Sequence, residues 1–436
     1  MAQIITENFR VFNATQFVEY VADTNNLYLF IGRPQSWYNE PTAPTPVNVP
    51  YQDTVYWADT VALKRIVPND FKQVVQRKNW SAGIVYSQYD NASSTLYGSN
   101  FYVLTQDNNV YKCISNNFGA ASSIKPTGTS TNIITTSDGY QWKYLYSLSD
   151  TDLLKFLTGD FMPVNLNYDV LNTAIKGTID NFVVTNIGNN YSVASNISVN
   201  ILGDGLNARI GNVFLSGANT IDRITLNTSG SGYTFANLSI LDSGGGSNAT
   251  ARAIVSPING HGSDVLTELG ARYVMINTRL NYAEGGGDFP VVNDYRRIGI
   301  VKNPISNATS TIATETTLDA TITLNVSNVT GTFSLDEYIR GDNTNSNAFI
   351  VSANANVTSG NVTIRYITPI ELFAGNIIFS AGETIRGANS LAVGTISIIT
   401  PAEVKKNTGQ ILYVENRAKI TRASDQAENI HIVIEF

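Results

Sequence analysis

The chain has 436 residues, of which 43% are hydrophobic and 10% aromatic, enough for more than one packed core. Its formal net charge is −7 and only 14% of residues are charged, against ~25% in a typical domain, which excludes a basic nucleic-acid binder and a charge-rich disordered chain. A single cysteine excludes an internal disulfide framework, and no apolar run approaches the roughly 18 residues of a membrane-spanning helix.

The N-terminus lacks a basic region followed by an apolar one, so no signal peptide is expected. Asn13-Ala14-Thr15-Gln16 has the form of a capping box and predicts a short helix from Asn13 to about Ala22. Leu27 to Ile31 reads as a buried strand ended by Gly32. Residues 34–50 contain five prolines and predict an extended loop carrying Trp37 and Tyr38. Aromatics there are either a plug beneath the loop or an interface anchor; the pair Trp37 and Tyr38 is the candidate interface. Asp53 to Arg65 predicts a helix with Val55, Ala58, Val61 and Ala62 on one stripe and Pro68 beyond its end. Phe101 to Leu104 and Val110 to Ile114 predict a hairpin around Gln106-Asp107-Asn108-Asn109, with Cys113 inside its second strand. After a polar loop over 116–137, Gly139 to Leu148 predicts a strand with Tyr140, Trp142, Tyr144 and Tyr146 on one face.

Two later stretches repeat internally. Ile179-Asp180 and Ile221-Asp222 open copies 42 residues apart, and Tyr191 and Tyr233 keep that spacing. Each copy is strand, Gly/Asn turn with Tyr, strand, Gly turn, strand. Further on, Phe333 to Gly341 matches Phe379 to Gly387 at a spacing of 46 residues. Glu337 with Arg340, and Glu383 with Arg386, are read as charge pairs beside Gly turns and not as acid/base groups. Both stretches lack helical periodicity and predict small β modules projecting from a body.

The chemistry-bearing residues are sparse. His261 lies in Gly260-His261-Gly262, read as a flexible linker, and His431 lies in a strand; a Ser-His-Asp triad would have to use one of them. Asp342 to Asn347 resembles a calcium loop, but Ala353 stands where the twelfth-position Glu belongs. Gly244-Gly245-Gly246 and Gly285-Gly286-Gly287 are not phosphate loops, since no Gly-Lys-Ser/Thr follows. Arg77-Lys78, Arg296-Arg297 and Lys405-Lys406 read as solvated strand ends. No catalytic residue, metal site or cofactor is implied, and no Asp/Glu pair is singled out for glycoside hydrolysis.

The final segment combines Ile411 to Val414, an apolar run stopping at Glu415-Asn416-Arg417, with Ile430, Ile432, Ile434 and Phe436 on one face of a terminal strand whose last residue is read as buried. Tyr413-Val414-Glu415-Asn416-Arg417, then Asp425-Gln426, then this strand, resembles the end of the baseplate wedge protein of T-even-type contractile-tailed phages, the gene product eight family. Colinear support comes from Phe30-Ile31-Gly32-Arg33 leading to Trp37; from Val75-Gln76-Arg77-Lys78-Asn79-Trp80; from Asp138-Gly139-Tyr140-Gln141-Trp142-Lys143-Tyr144-Leu145; and from Arg296-Arg297-Ile298-Gly299-Ile300 before Asn303-Pro304. The expected fold is mainly β: an α+β core with antiparallel sheet and a few flanking helices, plus two inserted all-β modules. The expected boundaries are 1–172, 258–304 and 401–436 for the wedge core and 173–257 and 305–400 for the inserts. Core residues expected are Phe30, Trp80, Trp142, Tyr144, Ile411, Tyr413, Ile432 and Phe436. The resemblance implies a non-enzymatic structural subunit of a virion tail baseplate, assembled in the host cytoplasm. Its partners would be other wedge proteins and a second copy in a homodimer, with no nucleic acid or membrane contact. The rival expectation is a carbohydrate-binding tail adhesin or a tailspike-type glycan-degrading protein.

Overall fold

The computed structural model describes residues 6–23, 26–280, 294–356, 360–369, 378–421 and 428–436. Gly285-Gly286-Gly287 and Asp425-Gln426 lie outside them. The chain is mainly β, with several antiparallel sheets and few helices. It forms two compact units, one of Met1–Gln16, Lys72–Met275 and Val433–Phe436, the other of Phe17–Phe71 and Ile276–Ile432. These bounds cut across the segments expected from the sequence, and each unit carries one of the two repeat modules.

In the first unit the predicted hairpin forms between Tyr102–Leu104 and Asn109–Ser115, and Gln141–Ser147 pairs along its other side. Tyr140, Trp142, Tyr144 and Tyr146 are all buried, but not on one face: the first three share a core cluster, while a register shift at Leu145 leaves Leu145 and Tyr146 together in another. Trp142 stacks on Tyr140 at 5.5 Å and meets Tyr86 edge-on at 5.5 Å. Cys113 is in this core. Trp80, expected to be buried, is only half-buried against its side.

The first module occupies 179–255 and interleaves its copies. The opening strand of the first copy, Ile179–Asn189, pairs with the last strand of the second, Ser247–Val255. Reciprocally, Ile221–Ser231 pairs with Leu206–Leu215, while the middle strands Ile197–Gly203 and Ala236–Asp242 pair with each other. Each repeated tyrosine fills the Gly turn of the other copy: Tyr191 packs on Gly246, and Tyr233 on Gly205, where any Cβ would enter the ring. The compact β domain predicted from two copies is therefore an intertwined one.

In the second unit a five-stranded antiparallel sheet runs in the order Thr317–Asp319, Thr60–Ile66, Leu27–Gly32, Tyr295–Lys302, Gln410–Ile420. Phe30 faces Gly299 in register, and Gly299 faces Val414. A Cβ on Gly299 would sit in the Phe30 ring and 2.5 Å from the Tyr413 carbonyl oxygen, so only glycine admits this approach. Ile411 and Tyr413, expected as core, are half-buried because their strand is the sheet's edge.

The second module closes a six-stranded barrel over 322–400. Its order is Ile322–Thr330, Asn361–Ile367, Asn347–Asn356, Tyr338–Gly341, Thr384–Gly387, Val393–Thr400. Phe333 and Phe379 of the two copies both lie in its core. Residues 317–319 belong to the five-stranded sheet and not to the barrel.

Several local expectations are corrected. The first helix spans Glu7–Asp23, so Asn13 is interior and not a cap. The second helix spans only Pro50–Asp59; from Thr60 the chain extends to pair with Leu27–Gly32, and sheet pairing overrides the helical stripe. The strand Gln410–Ile420 runs through Glu415-Asn416-Arg417 and does not stop there. The terminal strand spans Glu428–Glu435 with Ile430 and Ile432 buried, while Ile434 and Phe436 are half-buried.

Candidate functional site

The structure separates Trp37 from Tyr38. Trp37 Nε1 donates to the Arg417 carbonyl oxygen at 2.9 Å, and its backbone N–H donates to Glu40 at 3.0 Å. The guanidiniums of Arg33 and Arg297 lie 4.8 Å and 5.7 Å from its ring centroid. Both arginines bind Oδ2 of the fully buried Asp59, at 3.3 Å and 2.9 Å. Arg297 Nε also donates to Asn416 at 2.8 Å. The neighbouring Arg296 donates to the Pro34 carbonyl oxygen at 2.6 Å and to Glu40 at 2.8 Å and 3.0 Å. Burial pushes the Glu40 carboxyl up, but the hydrogen bond and charge of Arg296 prevail and hold it below the usual range. Arg296-Arg297, read from sequence as a solvated strand end, is therefore a buried anchor for the proline-rich loop. Tyr38 points away from this cluster and is fully exposed; the loop goes on to expose Val47 and Val49, and the helix that follows exposes Tyr51. Trp37 is the plug and Tyr38 the free aromatic.

The second constellation lies on the barrel, where the strands Tyr338–Gly341 and Thr384–Gly387 pair antiparallel with Arg340 directly opposite Arg386. Arg386 binds Asp342 through two nitrogens, at 2.9 Å, 2.9 Å and 3.1 Å. Arg340 donates to the side-chain oxygen of Asn345 at 2.6 Å. The two expected charge pairs do not form. Glu337 is buried and accepts from Ser334 N, Ser390 Oγ, Ser390 N and Asn389 N at 2.7–3.0 Å. Glu383 is buried likewise, with Asn343 N, Thr344 N, Thr344 Oγ1 and Ser380 N at 2.7–3.0 Å. Burial raises both carboxyls, but the donated hydrogen bonds outweigh it and leave both below their usual value. Glu383 occupies the turn that resembled a calcium loop, and the N–H groups of that turn point at a carboxylate, not a cation.

A cavity of about 590 Å³ opens beside the two arginines, walled by Asp342, Asn345 and Asn347 from one copy and by Ala388 and Leu391 from the other. Sequence reading missed this site. Its signal was present in the repeat: at the spacing of 46 residues Asp342 matches Ala388 and Asn345 matches Leu391, so the copies differ where the walls differ.

His261 and Cys113 are buried in the first unit. His261 is not in a flexible linker: it is 5% exposed, with Nε2 2.7 Å from Asp180 Oδ2 and its ring edge-on to Tyr89 at 5.1 Å. Beside it Lys112 pairs with Glu268, whose other oxygen accepts from Gly262 N at 2.7 Å and Asp264 N at 3.2 Å. Burial lowers the His261 pKa, Asp180 opposes this, and the Lys112 charge adds to the lowering. Among the described residues His261 Nδ1 has no hydrogen-bond partner, so no hydroxyl or thiol completes a triad. Burial pushes the Cys113 thiol up, which makes it a poor nucleophile. His431 is exposed on the terminal strand. Among the described residues no group of three His, Cys, Asp or Glu side chains is placed to hold a metal ion, and no helix is long and apolar enough to cross a membrane.

No family model matches this chain, and no curated protein matches it.

Proposed function

We propose that the chain is a structural subunit of a contractile-tail phage baseplate wedge, holding neighbouring wedge proteins in register before the rearrangement that triggers sheath contraction. The observation that supports this reading is the convergence of three distant segments that carry the resemblance. Phe30-Ile31-Gly32-Arg33, Arg296 to Ile300 and Tyr413 to Arg417 lie on three adjacent strands, joined at the contact of Phe30, Gly299 and Tyr413. Arg33 and Arg297 share Asp59, and Asn416 and Arg417 hold Arg297 and Trp37. A motif spread over the sequence is thus one physical cluster that fixes the proline-rich loop and presents Tyr38.

The work of such a subunit is mechanical, its partners are other wedge proteins and a second copy in a homodimer, and its location is the virion tail. The reading assigns it no reaction, and two features support this: among the described residues no nucleophile accompanies the His261–Asp180 pair, and the Cys113 thiol is buried. Purified tails examined by cryo-electron microscopy should contain density for this chain in the baseplate. Its absence from intact particles would overturn the reading.

A further inference from the structure

We infer that the cavity between the two repeat copies of the barrel is a binding site for an acidic saccharide, with Arg340 as the residue that takes the anionic group. This goes beyond the wedge reading and stands independently of it.

The repeat fixes a framework in which the two copies are equivalent and the cavity lies where they meet, on the Arg340 and Arg386 pair. Like charges directly opposite on an antiparallel pair repel. One of the two is neutralised, because Arg386 reaches into the first copy's turn and finds Asp342. The equivalent reach for Arg340 is toward Ala388, which offers no carboxylate. Arg340 donates to the neutral oxygen of Asn345 and, among the described residues, forms no salt bridge, although the Asp342 carboxylate bound by Arg386 lies near enough to feel its charge. Two guanidiniums therefore share one carboxylate at the cavity surface, Asp342, while Glu337 and Glu383 lie buried behind Gly387 and Gly341 with their oxygens taken by backbone N–H and hydroxyl groups; Arg340 faces the cavity without a salt bridge.

The walls choose the class of ligand. One wall offers the side-chain amides of Asn345 and Asn347; the opposite wall offers Ala388 and Leu391, and Leu391 is 77% exposed. A pyranose has this duality, with hydroxyls on its rim and C–H groups on its faces. The volume of about 590 Å³ lies within the ~300–1,000 Å³ of small-ligand sites. One guanidinium without a salt bridge, on a chain of net charge −7, suits one anionic group on a sugar and disfavours a polyanion such as nucleic acid. A guanidinium can take either a carboxylate or a phosphate through two nitrogens.

The test uses the full chain, titrated by calorimetry and saturation-transfer NMR with trigalacturonic acid, glucose 6-phosphate, neutral galactotriose and inorganic phosphate. At least one acidic saccharide should bind, and the neutral trisaccharide should bind at least ~10-fold more weakly. The two acidic probes separate a uronic acid from a sugar phosphate. Arg340→Gln should weaken binding by ~10-fold or more. Ala388→Asp restores the carboxylate that the second copy lacks; it should abolish binding while the barrel melts no lower, which separates loss of the site from loss of the fold. Asp342→Asn, which frees Arg386, should tighten binding. Failure of both acidic sugars to bind, equal binding of neutral and acidic sugars, or undiminished binding by Ala388→Asp would each overturn the proposal. Inorganic phosphate binding as tightly as every saccharide would overturn it too.

Discussion

Glu337 and Glu383, 46 residues apart, each close a turn belonging to the other's half of the barrel. Glu337 takes the backbone N–H groups of Asn389 and Ser390, and Glu383 those of Asn343 and Thr344. The carboxylate made by one copy is thus satisfied only when the other has folded, which ties the two copies into one cooperative module. Glu337→Ala or Glu383→Ala leaves several buried donors without partners, at ~1–3 kcal/mol each. Either substitution should lower the stability of the module by about 2–5 kcal/mol in chemical denaturation. Both carboxyls are depressed in the folded state, so their contribution is complete above the ordinary value of 4.5 and is lost as pH falls through the folded value. Melting curves between pH 6 and 3, in the wild type and in the double Gln variant, should differ mainly below about pH 4.5.

His261 gives the first unit its own acid sensitivity, at higher pH. Its folded pKa lies below the ordinary 6.5, so the stability it contributes is present above 6.5 and is lost as pH falls toward the folded value. One proton taken up only on unfolding gives a limiting slope of about 1.4 kcal/mol per pH unit. Denaturation of the wild type between pH 7.5 and 5 should show this extra slope, and His261→Gln should flatten it. Identical slopes would mean that His261 takes up its proton as readily in the folded chain as in the unfolded one.

The barrel should be removable. Its first and last strands are antiparallel neighbours, with Thr323 opposite Thr400, so the chain leaves the module where it began. Deleting 322–400 and joining Thr321 to Pro401 through a short Gly/Ser bridge should leave a soluble protein that melts cooperatively. Thr317–Asp319 must be kept, because it forms the edge of the five-stranded sheet beside Thr60–Ile66. A deletion extended back to 306 should melt lower than the shorter one; equal melting would mean that this edge strand contributes nothing.

Trp37 and Tyr38 should part company under mutation. Trp37→Ala removes an indole hydrogen bond and two guanidinium contacts, and should cost about 2 kcal/mol of stability. Tyr38→Ala removes a fully exposed ring and should leave the melting temperature unchanged. If residues 34–50 form a subunit interface, Tyr38→Ala should reduce co-purification with other wedge subunits. Unchanged assembly would make the loop a connector only.

The sequence by itself determined the β class, the hairpin around Asn108, the aromatic strand Gln141–Ser147 and both internal repeats. Each is a local matter: alternation of side chains, turn chemistry and spacing are properties of a short segment. It also brought together the residues of the Phe30, Gly299 and Tyr413 contact, though only as a resemblance. What only the tertiary structure decided was the choice of partner. Thr60 pairs in a sheet and leaves the helix, Arg296 and Arg297 turn inward, and Gly260-His261-Gly262 is buried on Asp180. Glu337 and Glu383 bind turns 53 and 39 residues away and not the arginines beside them. A side-chain carboxylate or guanidinium is satisfied by whichever donor or acceptor the fold brings within about 3 Å. Spacing along the chain does not specify that distance; the packing of the two copies against each other does.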